Sequence, residues 1–191
     1  MSGINTNGLP QTAALYGSEL FVLDTETAQG VAPQSGSISL AQLAIADKFY
    51  GNVLDKTTVA GSRYITQVNV GAADNFTGIG VLIGGTGGTD KWLVELHDAN
   101  GNLVATSATA GATVGAANTW QQFAFTAAYA APAGTYYLVV QTNGTTAKLA
   151  TLNSPTNPLY TGSATGTFGT GASITPPTSY TANVGPCALL Y

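Results

Sequence analysis

Charge is what this chain lacks most. Only 7% of its 191 residues are charged, against roughly 25% in an ordinary soluble domain. From Ala99 to Tyr191 the sole charged side chain is Lys148. Binding to a phosphate backbone needs a field of Lys and Arg that displaces counterions, and the five such residues here are scattered. Acid–base and metal chemistry needs clustered acids, His or Cys, and the second half of the chain has nowhere to keep them. The single cysteine, Cys187, excludes an intrachain disulfide, so the fold is not a disulfide scaffold and suits synthesis in a reducing compartment. Near the C-terminus it reads as a small hydrophobe. Apolar runs are short and broken by glycine, far below the ~20 residues of a membrane helix. Residues 1–10 have neither a basic start nor an apolar core, so no secretory leader is expected.

What is present is Gly, Ala, Thr, Ser, Asn, Val and Tyr, the composition of short strands and turns with a neutral polar skin. The 24 Gly and 8 Pro argue for many turns, and without a collagen period or a loss of apolar stretches they do not argue for disorder. The length suits one domain, or one domain plus an arm, and is enough to bury a core without metal or disulfide. The net charge of −4 is uneven: up to Asp55, five acids face Lys48 alone, whereas from Lys56 onward four acids balance four bases.

Along the chain three parts are expected: an N-terminal attachment arm over 1–55, a β-sandwich core over 56–152 and a loop-rich tail over 153–191. In the arm, residues 20–23 suggest a short strand. Ser39 and Gln42 have the spacing of a capping box, flanked by Ile38 and Leu43 at the staple positions, which predicts a short helix over 40–49. Beyond Gly51 the period changes to two. Strands are expected over 64–70, 76–83, 92–97, 103–105, 120–126 and 135–140, with hairpin signals at 98–101 and at Asn143-Gly144, the latter returning through Lys148 to Leu152. This spacing predicts a mainly β fold, an antiparallel sandwich or jelly roll. The tail is read as loops that wrap the sandwich, with its apolar end tied down on its own domain or a neighbour.

Each motif with a chemical reading has a plainer one. Asp24-Thr25 lacks the glycine of an aspartic-protease motif and has no second copy. Asp98, Asn100 and Asn102 alternate as calcium ligands do, but glycine stands fourth and no acid follows, so a hairpin turn is expected. His97 is the one histidine and, beside Asp98 at a strand end, reads as structural. Residues 84–88 lack the Lys-Ser or Lys-Thr ending of a phosphate loop. With no secretory leader expected, the sequons at Asn75 and Asn143 are read as chance. Trp92 and Trp120 are expected to face the core, and the adjacent Tyr136 and Tyr137 to face opposite ways. No catalytic residue, metal or cofactor is expected.

The order of pieces in the arm carries a resemblance. Residues 15–25, Leu-Tyr-Gly-Ser-Glu-Leu-Phe-Val-Leu-Asp-Thr, are followed by Pro33-Gln34 and by Ile38-Ser39-Leu40-Ala41-Gln42-Leu43-Ala44. This set resembles a pattern near the start of tailed-bacteriophage virion proteins, where it resembles an attachment or oligomerisation segment. Residues 76–143, through Leu96 to Ala105 and Pro132 to Tyr137, are similar in style to sandwich domains of phage decoration and fibre proteins, which are themselves similar to carbohydrate-binding modules. The resemblance implies a capsid decoration (cement) protein or short head fibre on the virion surface. Its implied partners are the major capsid protein and copies of itself, a trimer before a dimer. Docking would fall to Leu15, Glu19, Leu20, Phe21, Leu23, Leu40 and Leu43. The alternative is a glycan-binding tail or fibre module, with sugar contacts at Tyr136, Tyr137 and Tyr160.

Overall fold

A computed structural model describes residues 53–153 and 159–191. The expected strand at 20–23, the helix over 40–49 and all seven docking residues lie outside them. Eleven strands are described: β1 (Val53–Thr57), β2 (Ser62–Val70), β3 (Asp74–Leu82), β4 (Lys91–His97), β5 (Leu103–Thr106), β6 (Ala112–Thr113), β7 (Trp120–Ala131), β8 (Gly134–Thr142), β9 (Lys148–Leu152), β10 (Thr161–Thr165) and β11 (Ala188–Leu190). All pairings are antiparallel, and no helix occurs among the described residues. The mainly β, antiparallel expectation is met.

The strands form a large sheet in the order β10-β2-β8-β4-β5, with β6 also on β4, and a small sheet in the order β11-β3-β7. Strand β8 is inserted between β2 and β4, so consecutive strands cross repeatedly from one sheet to the other. The reason lies in the alternation. Tyr64 on β2, Trp92, Val94 and Leu96 on β4, and Tyr136, Leu138 and Val140 on β8 project from one face of the large sheet. They meet Ile79, Val81, Phe123 and Phe125 from the small sheet in one core. The Trp92 and Phe123 rings stack there with centroids 6.5 Å apart. Each large side chain so buried contributes about 1.5–3 kcal/mol of transfer free energy. The two sheets thus face each other in the manner of a β-sandwich.

Both open sides are closed. On one, β5 reaches β7 through a bridge between Ser107 and Phe125 and a bond from the Thr126 hydroxyl to the Thr106 carbonyl. On the other stands the two-stranded ribbon β1-β9. It bridges to the small sheet at Ile83–Leu149 and to the tail at Thr151–Pro186. Here the sequence reading needs correcting. Asn143-Gly144 does not fold β9 back onto β8. The Asp90 carboxylate takes the N–H groups of Thr146 and Ala147, and Asn143 Oδ1 takes that of Lys91. These bonds draw the chain away from β8 and deliver it to β1.

The tail is also more than a wrapping. Strand β10 extends the large sheet against β2, and β11 pairs with β3, so both tail strands are integral to the sheets. The apolar end is tied down on its own domain: Leu189 packs over Gly80, and the Tyr191 carbonyl accepts from the N–H groups of Thr77 and Gly78.

Candidate functional site

The densest polar constellation sits on the outer face of the large sheet. Alternation places Arg63 of β2, Glu95 and His97 of β4, and Gln141 of β8 there, opposite the core-facing set. Yet all four are buried, and Glu95 and His97 are fully so. The cover is the stretch 166–176, which crosses this face between β10 and the rest of the tail. Ile174 fits into a small apolar cluster with Ile65, Tyr137 and Val139.

Glu95 is the hub. Its Oε1 accepts from Gln141 Nε2 at 2.8 Å and lies 3.5 Å from Arg63 Nη2. Its Oε2 lies 3.2 Å from His97 Nε2. The other ring nitrogen, Nδ1, is 3.1 Å from the Gly101 carbonyl. Arg63 also donates to two carbonyls of the covering stretch, from Nη1 to Ala172 at 3.0 Å and from Nη2 to Thr170 at 2.7 Å. Gln141 accepts from Gly169 N and donates to Thr170 O. Among buried side-chain atoms of the described residues, Arg63 Nε, Trp92 Nε1 and Trp120 Nε1 have no partner. A carboxylate beside an imidazole is acid–base chemistry in kind. Here it is sealed under backbone, and its bonds run to the protein's own chain.

His97 therefore has the structural setting its position suggested. Asp98 forms the turn after it: Oδ1 accepts from the N–H groups of Asn100 and Asn102, and Oδ2 from Asn102 Nδ2. Gly101 occupies the left-handed region at φ 83°. Asn102 and the other turn donors hold the Asp98 carboxyl below its ordinary value, against an opposing effect of burial. The loop at 84–88 is held by Asp55, whose Oδ1 accepts from Gly85 N. Cys187 is buried and unpaired, and burial pushes its thiol up to about 12. No group of three or more His, Cys, Asp or Glu suited to a metal occurs among the described residues.

Trp92 is fully buried, as expected for a core residue. Trp120 packs partly buried beside Leu82, Ala150 and Cys187. Tyr136 and Tyr137 do face opposite ways, but both are buried, Tyr136 in the core and Tyr137 under the tail. Of the three tyrosines named for sugar contact, only Tyr160 is exposed, at 41%. They form no shared aromatic platform. Sequence reasoning missed Arg63, Glu95 and Gln141. The available signal was Leu93-Glu95-His97, an apolar residue and two polar ones on the same face of a strand whose other face is wholly apolar.

No protein-family model matches the chain, and neither does any curated protein or solved structure.

Proposed function

We propose that this chain is a non-catalytic structural protein of a tailed-phage virion, a cement protein or short head fibre that decorates and stabilises the capsid shell. The observation that carries the reading is how the carboxylates are used. All five within the described residues bind their own chain: Asp55 holds Gly85, Asp74 holds Asn75, Asp90 holds the 146–147 backbone, Glu95 holds Gln141 and Arg63, and Asp98 holds its turn. Such a domain presents a charge-poor surface, which packs closely against neighbours without a large desolvation cost for ions.

In this reading the 1–55 arm, with its short helix, docks on the major capsid protein through Leu15, Glu19, Leu20, Phe21, Leu23, Leu40 and Leu43. A jelly-roll sandwich projects outward from the shell. Many weak contacts repeated around the shell add by multivalency, and a closed homo-oligomer, a trimer, matches a capsid axis. The protein is made in the host cytoplasm and resides on the capsid surface. The glycan-binding alternative lacks a supporting observation, since Tyr136 and Tyr137 are covered.

The test is reconstitution. Purified full-length protein added to particles that lack it binds saturably and raises their disruption temperature. Protein from which residues 1–47 are removed does neither. Full-occupancy binding by the truncated protein overturns the docking assignment, and no binding by the full chain overturns the decoration role.

A further inference from the structure

Asparagine followed by glycine is a chemically weak point of a chain. The glycine nitrogen attacks the Asn side-chain carbonyl more readily than other residues do, because no Cβ on the second residue blocks the approach. Two such steps fall among the described residues, Asn100-Gly101 and Asn143-Gly144, and both asparagines are exposed. The fold treats them differently.

At Asn100 the nucleophile is occupied. Gly101 N donates to the Asp98 carbonyl at 3.0 Å, and Gly101 is buried against the Ile174 carbonyl. Asn100 N and Asn102 N both donate to Asp98 Oδ1, so the backbone is held on each side of the step. At Asn143 the nucleophile is free. Neither Gly144 N nor Asn143 Nδ2 makes a hydrogen bond among the described residues. Asn143 Oδ1 accepts from Lys91 N at 2.7 Å, which polarises the side-chain carbonyl and leaves its carbon more open to attack. Packing imposes the glycine itself. The Asp90 carboxylate lies against Gly144, where any Cβ would collide with it, and the same carboxylate holds Thr146 N and Ala147 N. The contacts that send the chain to β9 therefore keep the reactive pair in place.

We propose that Asn143-Gly144 is a self-modification site of the folded protein, which converts to aspartyl and isoaspartyl forms ahead of Asn100-Gly101 and thereby loosens the β1–β9 ribbon. Gly144 N gives up its proton to solvent and bonds to Asn143 Cγ. The Cγ–Nδ2 bond breaks, ammonia leaves, and a succinimide ring closes. Water then adds to either ring carbonyl. Opening on one side restores the ordinary backbone with an aspartyl side chain, and opening on the other routes the main chain through the side-chain methylene. Both products place a new carboxylate near Asp90. Like charge and the altered backbone then work against the bonds at 144–147, including that from Thr58 Oγ1 to the Gly144 carbonyl at 3.1 Å. Those bonds deliver β9 to β1.

The test is peptide mass spectrometry of the full-length protein aged in mildly alkaline buffer, folded and in parallel in urea. Digestion in heavy-oxygen water marks any conversion that occurs during handling. In urea the two steps convert at similar rates, because both are Asn-Gly. In the folded chain Asn143 converts about fivefold faster than Asn100 or more, the ratio set by one net backbone hydrogen bond at Gly101. Amide exchange of the aged protein shows protection lost over 53–57 and 148–152 in proportion to conversion, while β2, β4 and β8 keep theirs. A folded-state rate at Asn100 equal to or above that at Asn143 overturns the proposal. So does an Asn143 that stays intact in the folded chain while the urea sample converts, or a converted protein whose ribbon exchanges no faster.

Discussion

Tyr191 lies across Gly78. The two residues exchange backbone bonds, Tyr191 N to Gly78 O at 3.2 Å and Gly78 N to Tyr191 O at 3.3 Å. The phenol ring rests where a Gly78 side chain would project, so a Cβ there would collide with Tyr191 Oη and with the Phe123 carbonyl. A glycine in β3 thus makes room for the end of the tail, which covers β3 on the outer face of the small sheet.

From this relationship follows the first prediction. Gly78→Ala forces either the phenol or the β3–β7 ladder to move, at a cost of about 1–3 kcal/mol. Urea unfolding measures it. A loss close to zero would show that the tail end yields freely and is not packed on β3.

The Arg63–Glu95 contact gives a second. Arg63→Met leaves the Glu95 carboxylate buried with only Gln141 and His97 beside it, and lowers stability by about 3–5 kcal/mol. Glu95→Leu alone is comparably harmful because it strands the guanidinium. The double variant, with both charges replaced by apolar groups, regains most of either loss. Additive losses would show that the two side chains act through separate contacts.

Alkaline pH supplies a third. Burial raises the Cys187 thiol to about 12. Burial also raises the phenols of Tyr136, Tyr137 and Tyr191, with smaller contributions from Tyr129 at Tyr136 and from Tyr160 at Tyr137. In each case the folded state favours the neutral form. The stabilisation is complete below the ordinary values of 9.0 for the thiol and 10.0 for the phenols and is lost as pH climbs through the raised ones. Stability measured by chemical denaturation therefore declines from about pH 9 upward. At pH 8 a disulfide reagent modifies Cys187 only after the chain is unfolded; rapid labelling of the folded protein would contradict the burial.

Asp98 predicts the opposite dependence at a different place. Its carboxyl is lowered chiefly by Asn102, so the turn's stabilisation is present above its ordinary value of 3.8 and lost as pH falls through the lowered one. Asp98→Ala loosens residues 98–102 at neutral pH, read as faster amide exchange there, and makes no difference once the wild-type carboxylate is protonated.

How far these features were legible in the sequence depends on what holds each element. Strands β2, β4 and β8 announce themselves because alternating Tyr, Trp, Leu and Val must fill the core between the sheets. Strands β10 and β11 do not. Thr161 to Thr165 carry no apolar alternation, and β10 is held by its ladder to β2 and by small contacts, Gly162 under Pro177 and Gly185 against Thr66 and Thr161. The Asn143-Gly144 hairpin was misread for a similar reason: a distant carboxylate, Asp90, outcompetes local turn preference. His97 could be assigned a structural role from its solitude, but its partners Arg63 and Gln141 come from strands brought together only by the insertion of β8 between β2 and β4.

The docking assignment predicts that Leu20→Asp with Phe21→Asp abolishes attachment to particles while the melting temperature of the chain is unchanged. A marked fall in that temperature would place the pair within the packed core of the domain.

The central claim, a decorating role on a capsid, is tested most directly by counting and locating this protein in purified virions, with cryo-electron microscopy and quantitative mass spectrometry together. The account predicts many symmetric copies on the icosahedral shell, each contacting the major capsid protein through its N-terminal arm. A handful of copies confined to the tail, or absence from the particle, would contradict it.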